Sequence, residues 1–143
     1  MLETIREFAS ELRATLADAD DLARRHAEHF LRLALDAEPA LNAPDQVEWL
    51  DRLDAEHANL RSALDWSLTS DPAAGLRLAV SLRRYWEIRG HLLEAWNYLS
   101  ALNAFDHPPE LRVVALRDLF SFATDLDELD EGERFAEERL RLC

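Results

Sequence analysis

The chain has 143 residues, enough for one domain with a hydrophobic core. Hydrophobic residues make up 48% of the chain and charged residues 31%, a balance that is typical of folded globular domains and excludes a disordered chain. Only three glycines and five prolines are present, too few for a loop-rich β protein. Alanine, leucine, glutamate and arginine dominate, and all four favour helix, so we predict an all-α fold.

The chain contains 16 basic and 29 acidic residues, a net charge of −13. A surface this acidic repels phosphate backbones, so we do not expect direct nucleic-acid binding. The single cysteine, Cys143, cannot form an internal disulfide, which favours a reducing, cytoplasmic setting. The N-terminal residues do not resemble a signal peptide, and no stretch approaches the ~20 apolar residues of a membrane helix.

Two helices are predicted at the N-terminal end of the chain. Apolar side chains at steps of three and four predict the first over residues 4–16. The stretch ADADD, residues 17–21, is expected to end it. Asp20 or Asp21 is then expected to cap a second helix that runs to about Ala37, because a short carboxylate accepts hydrogen bonds from the free amides of a first turn.

A third helix is predicted after a loop bracketed by Pro39 and Pro44. Asp45 followed three residues later by Glu48 resembles a capping box, and the helix should end at about residues 67–69. Its apolar stripe includes a histidine and consists of Leu50, Leu53, His57, Leu60, Leu64 and Leu68.

Four more helices bring the expected number to about seven. Asp71 followed by Pro72 is a typical start for the fourth, and Gly90 is a typical end. The fifth follows directly. Residues 106–109, which include two prolines, separate it from the sixth, and residues 130–133 resemble a capping box that opens the seventh.

The second half of the chain contains a repeat with a period of 37 residues. The small residues that correspond, an alanine and a glycine, allow two helices to approach closely. The pattern predicts tandem helical hairpins of about tetratricopeptide length. The five matched pairs are Leu82 with Leu119, Gly90 with Asp127, Leu92 with Leu129, Ala95 with Gly132, and Leu99 with Ala136.

Four stretches resemble, in order, the helical region of large bacterial transcriptional regulators of the STAND type. These NB-ARC-containing proteins are LuxR- or AfsR-like. The resemblance covers nearly the whole chain and implies antiparallel hairpins stacked as a tetratricopeptide-like right-handed superhelix over residues 17–143. Residues 1–16 would be the tail of a preceding winged-helix-like segment. The stretches are MLETIREFASEL, RRHAEHFLRLA, WLDRLDAEHANLRSALDW and LRLAVSLRRYWEIRGHLLEAWNYLSALN.

The resemblance also implies a function. In these regulators a nucleotide-binding domain precedes the helical region, and this sequence has no GxxxxGK[ST] phosphate loop. We therefore expect a fragment of a larger ATP-dependent regulator: a non-catalytic interaction or sensor module without a cofactor. Its partner would be a protein, a peptide or the regulator's own nucleotide-binding domain. The resemblance suggests an exposed contact surface of Arg83, Tyr85, Glu87 and Asp118.

His57 and Asn59 are the polar residues that most invite a functional interpretation. We expect them to be structural, with the histidine bonded to a neighbouring carboxylate or a helix-end carbonyl so that it fixes how the third helix packs. The alternative is a polar switch or a ligand contact. The four tryptophans, at helical spacing, are expected to lie in the core.

A competing hypothesis is a small all-helical metal-binding or hydrolytic protein. It would use His26, His29 and His57 with nearby carboxylates. Metal sites need three or four ligands, so this hypothesis predicts that the three imidazoles converge in one pocket. A third hypothesis, a spacer between domains, differs from the sensor module only in binding no ligand.

Overall fold

The computed structural model describes residues 2–143, which form eight α-helices and no β-strand. The all-α prediction is therefore confirmed. The helices are α1 (Leu2–Ala40), α2 (Gln46–Ala55), α3 (His57–Ser70), α4 (Pro72–Ser81), α5 (Arg83–Arg89), α6 (Leu92–Asn103), α7 (Pro109–Asp125) and α8 (Leu129–Leu142).

Helix α1 is continuous over 39 residues, so the predicted break at residues 17–21 is wrong. This stretch contains no glycine or proline, and its alanines favour helix. Asp21 caps nothing. Its carboxylate instead pairs with Arg24 and Arg25 on the next turn, at spacings that stabilise a helix surface. The helix also extends past the expected end at about Ala37, with Pro39 in its last turn.

The third and fourth predicted helices are each interrupted at one residue but not ended there. Only Glu56 separates α2 from α3, and the amide of Leu60 donates to its carbonyl across 2.9 Å. Only Leu82 separates α4 from α5, and the amide of Trp86 donates to its carbonyl across 3.0 Å. Since α2–α3 and α4–α5 each continue as one helical rod, residues 2–143 form six rods.

The structure confirms one of the predicted helix starts and differs from two others. Asp71 accepts a hydrogen bond from the amide of Ala74 at 3.2 Å, which confirms the cap before α4. Asp45 is at the cap position of α2 but makes no side-chain capping bond, while Nε2 of Gln46 donates to the carbonyl of Leu41 at 2.6 Å. The last helix begins at Leu129, ahead of the predicted capping box.

The two hairpin turns of the predicted repeat have the same backbone geometry. Gly90 has a φ of 76° and Asp127 a φ of 62°, so both occupy the left-handed region that is common at helix ends. Aspartate is one of the few non-glycine residues that enter this region readily. Corresponding hydrogen bonds close the two turns, from the amide of His91 to the carbonyl of Trp86 (2.9 Å) and from Glu128 to Ala123 (2.8 Å).

The core lies where α4 packs against its neighbours. Helix α4 contacts α1 and α3 on one side and α6 and α7 on the other, while α8 packs on α7. A Cβ atom at Gly75 would lie 2.7 Å from side-chain atoms of both Ser67 and Leu102, so glycine is needed for this close approach. Trp86 is fully buried in the core, and the other three tryptophans pack partly buried against it or beside it.

The N-terminal half of α1 projects away from this core. Over residues 2–22 every side chain is exposed or half-buried, and the buried face of the helix begins only at Ala27. Within the described chain, no helix is both long enough and apolar enough to cross a membrane.

Leu60 tests the packing of α3. Its side chain is fully buried, so Leu60→Ala should lower the free energy of unfolding by about 2–5 kcal/mol through lost burial and a residual cavity. Leu93→Ala, at a side chain that is 63% exposed, is the matched control and should change stability by about 0.5 kcal/mol or less. Urea unfolding followed by circular dichroism measures both, and equal losses would contradict the packing described here.

Candidate functional site

Glu94 is the centre of a polar cluster that joins three helices. The Nε2 atom of His57 lies 2.7 Å from Oε2 of Glu94, and the indole N–H of Trp86 donates to the same oxygen at 2.9 Å. The Nε atom of Arg61 lies 3.1 Å from the other oxygen, Oε1. One carboxylate on α6 therefore binds side chains from α3 and α5.

His57 is enclosed by aromatic side chains as well. Its ring lies 4.6 Å from that of His91 and packs edge-on against Tyr85 at 6.0 Å, measured between centroids. The histidine is thus bonded to a neighbouring carboxylate, which is the arrangement that its structural interpretation requires. Asn59 lies apart from this cluster: its amide donates to Glu56 at 2.7 Å.

A second polar cluster joins α2 to α5. The hydroxyl of Tyr85 donates to Oδ1 of Asp54 at 3.0 Å, and Arg89 lies 2.9 Å from Oδ2 of Asp54 and 3.1 Å from Oδ1 of Asp51. Burial, followed by the hydrogen bond to Asp54, raises the pKa of the Tyr85 hydroxyl, so it remains protonated and continues to donate. Asp54 itself is exposed, and this contact was not predicted from the sequence.

The third cluster surrounds Asp118, a fully buried carboxylate on α7. Arg117 donates to its Oδ1 through two nitrogens, at 2.9 and 2.7 Å, and Nε of Arg83 lies 3.4 Å from the same oxygen. The other oxygen, Oδ2, is buried and has no hydrogen-bond partner among the described residues. Burial raises the pKa of Asp118, and the hydrogen bond and charge of Arg117, with the charge of Arg83, oppose that rise.

The expected contact surface is only partly exposed. Tyr85 and Asp118 are fully buried, so the prediction of exposure is wrong for both. Tyr85 turns toward Asp54, and the carboxylate of Asp118 turns toward Arg83. Arg83 and Glu87 remain partly exposed and pair with each other at 2.9 Å.

Arg83 and Glu87 line a polar cleft of about 350 Å³. The cleft lies between the end of α1, the α4–α5 rod and α7. Its lining includes two further arginines with about half of each side chain exposed, Arg84 and Arg117. The remaining lining residues are Glu38, Asn42, Val80 and Ser81.

The three histidines of the competing hypothesis do not share a site. His26 and His29 both pack against the ring of Phe30, and the His26 ring nitrogen lies 3.4 Å from the side-chain oxygen of Asn59. His57 binds Glu94. Over residues 2–143, no group of three or more histidine, cysteine, aspartate or glutamate side chains is arranged to hold a metal ion.

One signal in the sequence could have located two of these contacts. His57 and Glu94 are 37 residues apart, and Arg89 and Asp51 are 38 apart, close to the period of the sequence repeat. The other pairs do not follow this period, since Tyr85 lies 31 residues from Asp54 and Trp86 lies eight from Glu94.

No family model, no curated protein and no solved structure matches the chain. Function is therefore inferred from the packing of the rods, from the three carboxylate clusters and from the sequence stretches that resemble STAND regulators.

The Glu94 cluster predicts unequal effects of its members on stability. His57→Ala removes one hydrogen bond at a partly exposed position and should cost about 1–2 kcal/mol. Glu94→Ala should cost more, because it leaves the donors of His57, Trp86 and Arg61 without their acceptor. Thermal unfolding measures both, with the exposed Glu137→Ala as the control. If His57→Ala costs nothing but regulation is lost in the intact protein, a sensor role for this histidine is favoured.

Asp118 predicts a dependence of stability on pH. Because burial raises its pKa in the folded state, the fold favours the protonated carboxyl. The stability of the wild type relative to Asp118→Asn should be greatest below the ordinary pKa of 3.8 and should fall as pH rises through the raised value. Urea unfolding of both proteins across this range gives the difference, in which the other carboxylates cancel. A difference that grew with pH would show that the arginines outweigh burial.

Proposed function

We propose that the chain is a non-catalytic protein-interaction or sensor module of a larger, ATP-dependent bacterial transcriptional regulator of the STAND type, located in the cytoplasm. The observation that best supports this proposal is the contact between alternate rods, α1 with α4 and α4 with α7. Hairpins that stack side by side bring their first helices together in this way. In the proposed tetratricopeptide-like right-handed superhelix, these first helices line the concave surface.

The polar cleft supports a binding role for that surface. Its lining comes from the same three rods: Glu38 and Asn42 at the end of α1, residues 80–87 of α4–α5, and Arg117 of α7. Both charge signs are present, so the cleft offers donors and acceptors to a polypeptide. The partner would be a protein, a peptide or the regulator's own nucleotide-binding domain.

The roles of the prominent polar groups also favour binding over catalysis. Glu94 and Asp54 bind donors on neighbouring helices, and Asp118 binds Arg117 and lies against Arg83 of α5. These contacts hold the rods in register. In such a module the mechanism is a shift in conformational population: a ligand that binds one arrangement of the regulator better than the other moves the equilibrium toward it.

The proposal predicts that the isolated chain binds neither ATP nor duplex DNA. It would lack the phosphate-binding loop of the regulator, and its charge of −13 repels nucleic acid. Calorimetric titration with Mg-ATP and with a DNA duplex tests this, after circular dichroism has shown that the sample is helical and unfolds cooperatively. Sub-micromolar binding of either would contradict the proposal. Stoichiometric zinc or iron in elemental analysis would instead support the metal-binding alternative.

A further inference from the structure

Two of the arginines that line the polar cleft also contact a buried carboxylate. Arg117 donates to Oδ1 of Asp118 through two nitrogens, at 2.9 and 2.7 Å, and Nε of Arg83 lies 3.4 Å from the same oxygen. Asp118 is fully buried, whereas both arginines are partly exposed and line the cleft. Each of these guanidinium groups therefore has a buried carboxylate on one side and the cleft on the other.

The contact of Asp118 with these arginines depends on its charge. Both arginines lie at Oδ1, and Oδ2 is buried without a hydrogen-bond partner among the described residues. Burial raises the pKa of Asp118, Arg117 and then Arg83 oppose that rise, and the charge of Glu87 adds to it. These are the charged groups that face Asp118 from α7 itself and from α5. When Asp118 binds a proton, its ion pairs with the two arginines are lost.

Asp118 also sets the net charge of the cleft. The lining includes three arginines and two glutamates, a net charge of +1 in a chain whose own net charge is −13. An ionised Asp118 behind the lining cancels that excess, and a neutral Asp118 leaves it in place. Arg84, the third arginine, lies 3.6 Å from Oε2 of Glu87, which is longer than a hydrogen bond.

A positive cleft of this composition suits an oxyanion. Guanidinium groups bind carboxylates and phosphates through pairs of N–H donors, and such charge-assisted hydrogen bonds are stronger than neutral ones. The acidic remainder of the chain opposes such a ligand only weakly. Its charges act across solvent, where salt screens them beyond ~8 Å, whereas a group in the cleft contacts the arginines directly.

We propose that Asp118 controls the cleft as a binding site for an oxyanion of a partner polypeptide, either a carboxylate or a phosphate. When it is ionised, Asp118 holds Arg83 and Arg117. When it is neutral, both arginines are free to bind the ligand. Coupling is reciprocal, so a bound oxyanion in turn favours the protonated form of Asp118. This inference rests on the proposed function, because it names the chemistry and the control of the same cleft.

Asparagine at position 118 reproduces the neutral state at every pH. In neutral and mildly alkaline buffer, Asp118→Asn should bind anionic probes about tenfold more tightly than the wild type, because Arg83 and Arg117 lose the carboxylate that competes with the ligand. Circular dichroism shows whether the variant folds, and Asp118→Ser replaces it if it does not.

Asp51→Asn is the matched control. It changes the net charge of the chain by the same amount, at a carboxylate that also pairs with an arginine, Arg89. Asp51 is exposed and does not line the cleft. This variant should therefore bind the probes as the wild type does.

The probes are three end-capped pentapeptides of alanine with glutamate, phosphoserine or serine at the centre. NMR titration of the full chain, followed at the Nε–H groups of Arg84 and Arg117, gives their dissociation constants. Tighter binding of the glutamate peptide by Asp118→Asn identifies a carboxylate as the ligand group, and tighter binding of the phosphoserine peptide identifies a phosphate. The serine peptide should bind neither protein.

Methanesulfonate, which stays anionic in acid, gives the pH dependence. Its affinities for the wild type and Asp118→Asn should differ most at the alkaline end of the range. They should converge as pH falls through the raised pKa of Asp118, because both proteins then carry a neutral side chain at this position. The other carboxylates titrate in both proteins and cancel from the comparison.

Five results would each overturn the proposal. They are no binding of either anionic peptide, equal affinities of the wild type and Asp118→Asn, the same gain in Asp51→Asn, affinities that do not converge in acid, or equally tight binding of the serine peptide. The last result would leave the cleft as a peptide site of the proposed interaction module. Failure of the module itself is detected separately, by the ATP and DNA titrations.

Discussion

The close approach of α4 to its neighbours is the constraint on which the rest of the fold depends. This helix contacts α1, α3, α6 and α7. It is the short side chains on its surface, above all Gly75 and Ala79, that let four helices surround it. Interiors pack as densely as organic crystals, so an added methyl group at Gly75 would have to displace both Ser67 and Leu102. Once α4 is enclosed, the positions of α1 and α7 on its two sides follow, and with them the cleft.

The carboxylate clusters determine how the packed rods are positioned along one another. Hydrophobic burial has no preferred direction, so leucine against leucine does not by itself fix how far one rod slides along another. A carboxylate that accepts from two or three donors at defined distances does fix it. Glu94 specifies the position of α6 against α3 and α5 in this way, and Asp54 that of α2 against α5. Asp118 differs, because its unpartnered Oδ2 atom makes its burial costly, which offsets part of what its contacts with the arginines contribute to stability.

Much of the secondary structure could be predicted from the sequence because its signals are local. The cap at Asp71 and the left-handed turn at Gly90 depend on chemistry within four residues, and the structure confirms both. Even the turn at Asp127, where no glycine is present, could be located by its distance from Gly90. The break expected at residues 17–21 failed because an aspartate has two local options. It can cap a helix, or it can pair with arginines on the next turn, and the sequence contains both patterns.

The side chains of the candidate surface could not be placed by the same means. Periodicity shows which residues share a face of a helix, but α5 has two covered faces. Tyr85 and Asp118 look like surface groups by type, yet each is buried against a polar partner on another rod, Tyr85 against Asp54 and Asp118 against Arg83. The period of the sequence repeat is the signal that matches such a distance: His57 and Glu94, which meet in the structure, are 37 residues apart.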